Sequence, residues 1–229
     1  MTIGLLICDY VREKYQREHG DYPRMFRTLF PDISFIDYFV IDGHFPLSVN
    51  ECDAYICTGS SYSVYQDIPW IHELAEFIRD LDREQIKFVG VCFGHQMIGL
   101  ALGGSVEKSN NGWCVGLHCF DIEASQPWMH SPADKLNVLM MCQDQITVLP
   151  QSAQRIASTA LCPIAMIQIG THMIGIQGHP EFTKEYDRAL MEDRIEIMGI
   201  DVVKAGLDSL DQTLDRNLLK QWIKYFLSN

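Results

Sequence analysis

Clustered positive charge is the plainest thing this sequence lacks. Its 229 residues carry 18 Lys and Arg against 30 Asp and Glu, a formal net charge of −12, and no basic run exceeds two residues. Nucleic acid and anionic membrane surfaces are recognised through grouped Lys and Arg, so neither is an expected partner. Long apolar stretches are missing too, and none approaches the roughly 18 residues that read as a bilayer span. The opening run TIGLLIC (2–8) has no basic region before it and no small-residue cleavage site after it. It reads as a first β-strand, not an export signal. Internal repeats, low-complexity tracts and an interdomain linker are absent as well. With 47% hydrophobic and 21% charged residues, the chain is expected to fold as a single α/β domain over residues 1–229, in the cytoplasm.

Cysteine is not scarce: there are eight. Most lie inside apolar runs of a sizeable chain with no export signal, which points to reduced thiols instead of a disulfide framework. Two pairs have a spacing that suggests metal, Cys52 with Cys57 and Cys114 with Cys119. Both pairs read as strand residues an odd number apart, hence on opposite faces, where they cannot clamp one ion. No metal and no cofactor is expected.

The order of patterns is strand, helix, strand, loop, helix, strand, helix. Strands are expected at 2–8, 34–41, 52–59 and 86–91, and short helices at 22–30 and from Pro69 onward. Trp70, Leu74, Phe77, Ile78 and Leu81 recur there at helical spacing. Such alternation predicts a doubly wound, mostly parallel sheet flanked by helices. From Ser105 to Gln177 short strand-like runs follow one another, an antiparallel addition that partly extends the main sheet. From Thr183 the chain reads as helical. Leu214, Leu218, Leu219, Trp222, Ile223, Phe226 and Leu227 form one face of a closing helix that packs back on the sheet.

The most informative segment is Lys87 to Gln96. An apolar strand ends on Cys92 within Gly90-Val91-Cys92-Phe93-Gly94, and a helical run begins at once. A sharp strand-to-helix turn crowds its own backbone and leaves room only for glycine at the flanking positions. It also sets the sulfur at a helix N-terminus, where the dipole favours a thiolate. A nucleophile needs a base, and the base an orienting acid. His179-Pro180-Glu181 supplies both, because side chains two apart in extended backbone lie on the same side. The candidate triad is Cys92, His179 and Glu181. The remaining histidines, His95 included, read as surface or loop groups, although His95 could line the pocket. Each motif alone has a plainer reading, as packing or as a turn. Packing, however, gives no reason for both elbow glycines.

The segments Gly90 to Gln96 and Gly178-His179-Pro180-Glu181-Phe182 together resemble the class I, triad-type glutamine amidotransferases, over nearly the whole chain. The layout is most similar to the glutaminase domain of GMP synthase and to stand-alone γ-glutamyl peptidases. The resemblance implies a flavodoxin-like amidotransferase fold and glutamine or a γ-glutamyl small molecule as substrate. It also implies attack by Cys92 on the γ-carboxamide to give a γ-glutamyl thioester, then hydrolysis to glutamate. The loop Thr58 to Tyr65 is similar to the one that completes the family's oxyanion hole, which assigns that role to the N–H groups of Gly59 and Phe93. Gln96, Ser60, Cys142, Gln143 and Asp144 fall on substrate-binding positions. Gln96 is otherwise an ordinary first-turn helix residue, and Asp144 a turn former. Relatives carry histidine where this chain has Cys142.

Three functions stay open on these motifs. One is a glutaminase that passes ammonia to a synthetase. The stretch after Phe182 is too short for an ATP-using domain of usual size, so a separate synthetase subunit is then expected. Another is a stand-alone γ-glutamyl hydrolase that releases an amine. The third is a silent binding protein on the same fold, against which retention of all three triad residues argues.

Overall fold

The computed structural model describes all 229 residues. Strand β1 (Thr2–Leu6) leads through helices α1 (Glu13–His19) and α2 (Tyr22–Leu29) to β2 (Ser34–Tyr38) and a 3-10 turn at Val40–Asp42. Then come β3 (Ala54–Cys57), α3 (Pro69–Arg83), β4 (Lys87–Val91) and α4 (Phe93–Ala101). Seven strands follow: β5 (Ser105–Lys108), β6 (Cys114–Ile122), β7 (Lys135–Cys142), β8 (Asp144–Val148), β9 (Ala153–Ser158), β10 (Met166–Ile169) and β11 (Met173–Ile176). Helices α5 (Lys184–Asp193), α6 (Ile195–Met198), α7 (Ile200–Ser209) and α8 (Arg216–Ser228) close the chain.

Nine strands form one sheet in the order β2-β1-β3-β4-β11-β10-β9-β6-β7, and β5 with β8 make a separate antiparallel pair. The five strands from β2 to β11 run parallel. The rest is antiparallel. This is the expected α/β sheet with its antiparallel extension. Side chains of the parallel strands alternate between two buried layers, as a sheet covered on both faces requires. Ile3, Leu5, Ile56, Val89 and Val91 meet α2, α5 and α8 on one face. Leu6, Tyr55, Cys57 and Phe88 meet α3 and α4 on the other. Leu219, Trp222, Ile223, Phe226 and Leu227 of α8 are buried as the periodicity predicts.

Three expectations need correction, and a fourth holds. Helix α1 is an addition to the expected order; none of its residues is buried, so no apolar stripe marks it. Cys52 lies in the turn before β3, not in a strand, and its thiol joins Cys57 in the same buried cluster instead of facing away. Cys114 and Cys119 do share β6 and do point apart, one buried and one exposed. Residues 142–144 are barely a loop, because β7 runs to Cys142 and β8 starts at Asp144.

Several histidines are not surface groups. His95 is fully buried, lies against Gly175, and sends Nε2 to the Ile164 carbonyl at 3.1 Å. It lines neither cavity beside Cys92. Burial draws its pKa down to about 4, so it is a neutral core histidine. His172 is also buried, with Nε2 2.8 Å from Asp82.

Candidate active site

The carboxyl ends of β1, β3, β4 and β11 converge on one edge of the sheet, the usual place for a site in such a fold. Cys92 follows β4 directly and adopts φ 51°, ψ −98°, a left-handed conformation unusual for a residue with a side chain. The two glycines have a steric cause. A methyl on Gly90 would lie 2.4 Å from the Gly94 carbonyl oxygen, and one on Gly94 would lie 2.8 Å from the Cys57 carbonyl oxygen. Both obstacles are backbone, so neither can yield cheaply. The Cys92 N–H donates to the Ile176 carbonyl at 2.8 Å, which ties the turn to the end of β11.

The segment after β11 is pinned from two sides. The His179 N–H donates to the Leu139 carbonyl at 2.8 Å. From α8, Arg216 donates to the carbonyls of Pro180 at 2.8 Å and Glu181 at 3.1 Å. His179 Nδ1 and Glu181 Oε1 are 2.9 Å apart, both residues are buried, and the imidazole stacks on Phe182 at 4.0 Å. Its other nitrogen, Nε2, has no hydrogen-bond partner in the protein. Burial alone draws this imidazole down, but the charges of Cys92 and Glu181 outweigh that effect, and its pKa is pushed up to about 10. The imidazolium is therefore the favoured form of His179.

Gly59 closes the space above this pair. A methyl there would stand 2.8 Å from His179 Cε1 and 3.5 Å from Cys92 Cβ. The Gly59 N–H has no acceptor in the protein, and Phe93, the first residue of α4, has no intrahelical acceptor for its own. The loop that carries Gly59 is fastened to β1. Thr58 Oγ1 accepts from the Cys8 N–H at 3.0 Å, Ser60 Oγ donates to the Cys8 carbonyl at 2.9 Å, and Asp9 accepts from the Ser61 N–H at 2.7 Å. The Ser60 hydroxyl is thus already engaged by backbone. Behind the loop, the Cys8 and Cys57 sulfurs are 3.3 Å apart and both reduced.

Two cavities meet at Cys92. The larger, about 320 Å³, contains Gln96, Cys142, Gln143 and Asp144, four of the five residues expected at substrate-binding positions, together with the fifth, Ser60. Gln96 donates to the Asp144 carbonyl at 2.7 Å and to Gln177 Oε1 at 3.2 Å, while Gln177 donates to Cys92 Sγ at 3.5 Å. The Asp144 carboxylate accepts from Ser63 at 2.5 Å and Tyr65 at 3.2 Å, which joins β8 to the 58–65 loop. Asp144 begins a strand and faces a cavity, so it is not a turn former. The smaller cavity, about 220 Å³, contains His179 with Tyr22, Phe182 and Tyr186. Gln177, Asp9 and Arg194 belong to this site without standing out in the sequence. The one signal for Gln177 is a polar residue at the end of an otherwise apolar strand run.

A family model of the glutamine amidotransferase class I type matches residues 44–197, most of the chain, and leaves out the β1 end, Tyr22 of α2 and Arg216 of α8. The chain belongs to this family. As a class I amidotransferase it is an amidohydrolase of the glutamine amidotransferase kind. It is 32% identical over 241 residues to γ-glutamyl peptidase 3 of Arabidopsis thaliana, covering 97% of this chain and 96% of the relative. One subunit of the glutamine-hydrolysing GMP synthase of Saccharolobus solfataricus is 29% identical over 147 residues, covering 63% of this chain and 76% of that one. Among solved structures, a glutamine amidotransferase from Thermotoga maritima superposes with a TM-score of 0.80 at 20% identity, over 100% of this chain and 99% of the other. That likeness establishes the fold. No helix of this class I member is long and apolar enough to cross a membrane.

Proposed function

We propose that the whole chain acts as one amidotransferase-type domain that hydrolyses γ-glutamyl amides by itself, with Cys92, His179 and Glu181 as its catalytic triad. The observation that carries the proposal is the His179 geometry: one nitrogen held by a buried carboxylate, the other unpartnered beside Cys92. The Cys92 thiolate attacks the γ-carbonyl carbon, and the oxygen takes up the electron pair within reach of the Gly59 and Phe93 N–H groups. One such donor is worth roughly 3 kcal/mol of barrier. The imidazolium of His179 gives its proton to the departing amine as the C–N bond breaks, and a γ-glutamyl thioester remains. Water then adds to the thioester while His179 takes its proton. Glutamate leaves, and the thiolate and imidazolium are restored. Glu181 keeps the tautomer and the orientation throughout.

Gln96, Gln143, Asp144 and the Cys142 backbone are proposed to receive the glutamyl group in the larger cavity. The substrate is glutamine or a γ-glutamyl small molecule. Similarity to γ-glutamyl peptidase 3 across almost the full length of both proteins supports an amine-releasing hydrolase. A second reading, a glutaminase that hands ammonia to a separate synthetase subunit, is favoured by the shorter match to the GMP synthase component. Glutamate release from glutamine and from γ-glutamyl dipeptides, with Cys92→Ala as control, separates the two. The hydrolase turns over dipeptides unaided. Weak turnover of glutamine alone, rising when a synthetase is added, supports the second reading and overturns the first.

A further inference from the structure

The two cavities differ in which reacting part of the substrate they can serve. Gln96, Gln143 and Asp144 line only the larger one, whereas His179, Tyr22 and Tyr186 line only the smaller. If His179 protonates the leaving nitrogen, the departing group must lie on the His179 side. The smaller cavity is then the amine side. Its volume of about 220 Å³ is several times the roughly 30 Å³ that a molecule the size of water or ammonia occupies in the liquid. The rings of Tyr10, Tyr22, Phe182 and Tyr186 stand in its wall beside polar and charged groups, and the exposed lining is mostly polar.

The mouth carries two cations with different partners. Arg12 pairs with Asp193 at 2.5 Å, a carboxylate that Lys14 shares. Arg194, at the junction of α5 and α6, also lines both cavities, but its guanidinium pairs with no carboxylate and donates to no acceptor in the protein. In a chain of net charge −12, a cation with no ion-pair or hydrogen-bond partner beside the nucleophile favours an anionic ligand. The planar fork of a guanidinium fits a carboxylate with two parallel hydrogen bonds, and lysine cannot match that geometry.

We infer that the smaller cavity binds the amine part of the substrate and that Arg194 reads a carboxylate on it, so that the leaving group is an amino acid or short peptide. The inference rests on the hydrolase reading above and deepens it. A charge-assisted contact of this kind is expected to be worth about 10- to 100-fold in selectivity.

The test uses three substrates: γ-glutamylphenylalanine, γ-glutamylphenethylamide, which lacks only the carboxylate, and glutamine. The wild-type protein should favour the phenylalanine compound over the phenethylamide by about 10-fold or more in kcat/KM. In Arg194→Gln that ratio should collapse toward one, mainly through KM, and Arg194→Lys should restore part of it. A ratio unchanged by Arg194→Gln overturns the inference, whether both rates fall together or neither moves. Binding of free phenylalanine and phenethylamine to the Cys92→Ala protein gives an answer that needs no turnover. Tighter binding of phenylalanine, lost in the Cys92→Ala, Arg194→Gln double variant, supports the inference even where no γ-glutamyl compound is cleaved. Equal binding of the two amines overturns it.

Discussion

Gly59 is the residue at which sterics and chemistry can be separated most cleanly. A methyl group added there would stand 2.8 Å from His179 Cε1, whereas ordinary van der Waals contact begins near 3.4 Å. The imidazole must therefore withdraw by about 0.6 Å, or the loop must rise by as much. Neither has slack. The ring is stacked on Phe182 and bonded to Glu181, and the loop is fastened to β1 through Thr58, Ser60 and Asp9. Misplacing a catalytic group by this order of distance costs about 10²-fold in rate, or about 2.7 kcal/mol of barrier. Overpacking of a tight site costs about 1–3 kcal/mol of stability, and each of those lowers Tm by roughly 2–4 °C in a chain of this size. Gly59→Ala should therefore remain folded, with a modestly lowered Tm and kcat reduced about 10²-fold on any γ-glutamyl substrate that the protein cleaves. The assay is kcat by glutamate release alongside thermal unfolding. Wild-type kcat in a folded Gly59→Ala protein would refute the reasoning, since the loop and the imidazole would then not be in contact during turnover.

Other substitutions test the electrostatics. Glu181→Gln removes one of the charges that, against burial, hold the His179 pKa at about 10. Turnover should fall by about 10²-fold or more, and the alkaline limb of the pH–rate profile should move to lower pH. A profile that keeps its alkaline limb in place contradicts the assigned pairing. Asp187 on α5 is fully buried, and burial pushes its carboxyl up to about 7 from an ordinary value of 3.8. At this group the folded protein then binds more protons than the unfolded chain between those values, so the contribution of Asp187 to stability should decline as pH rises from about 4 to 7. Asp187→Asn does not titrate, and its stability relative to wild type should grow over that window by up to a few kcal/mol. Urea unfolding at pH 4.5 and pH 8 checks this, and a difference that is the same at both values argues against it.

The parts of the site that could be read from the residues are those set by local sterics. The elbow is legible because two glycines within five residues are demanded by backbone contacts that the strand-to-helix turn itself creates. His179 and Glu181 are legible because they are near neighbours in the chain, although Pro180 and Glu181 form a turn and not the extended backbone expected. The alternation of strands and helices is equally local, and the mostly parallel sheet follows from it. What escaped is tertiary. Gln177 reaches Cys92 only because β11 pairs with β4. Asp9 matters only because the end of β1 lies beside the 58–65 loop. His95 reads as a surface or loop group that could line the pocket, yet the first turn of α4 directs it into the core against Gly175. Helix α1 buries nothing, so no periodicity announces it.

The central claim is that Cys92 forms a covalent γ-glutamyl thioester. Its most direct test is rapid acid quenching during turnover of a γ-glutamyl dipeptide, followed by mass analysis of the proteolysed protein. The account predicts one glutamyl group on the peptide that contains Cys92, present during turnover, gone once substrate is exhausted, and absent from Cys92→Ala. Glutamate release by a folded Cys92→Ala protein at the wild-type rate, with no adduct on Cys92 in the parent, would contradict it.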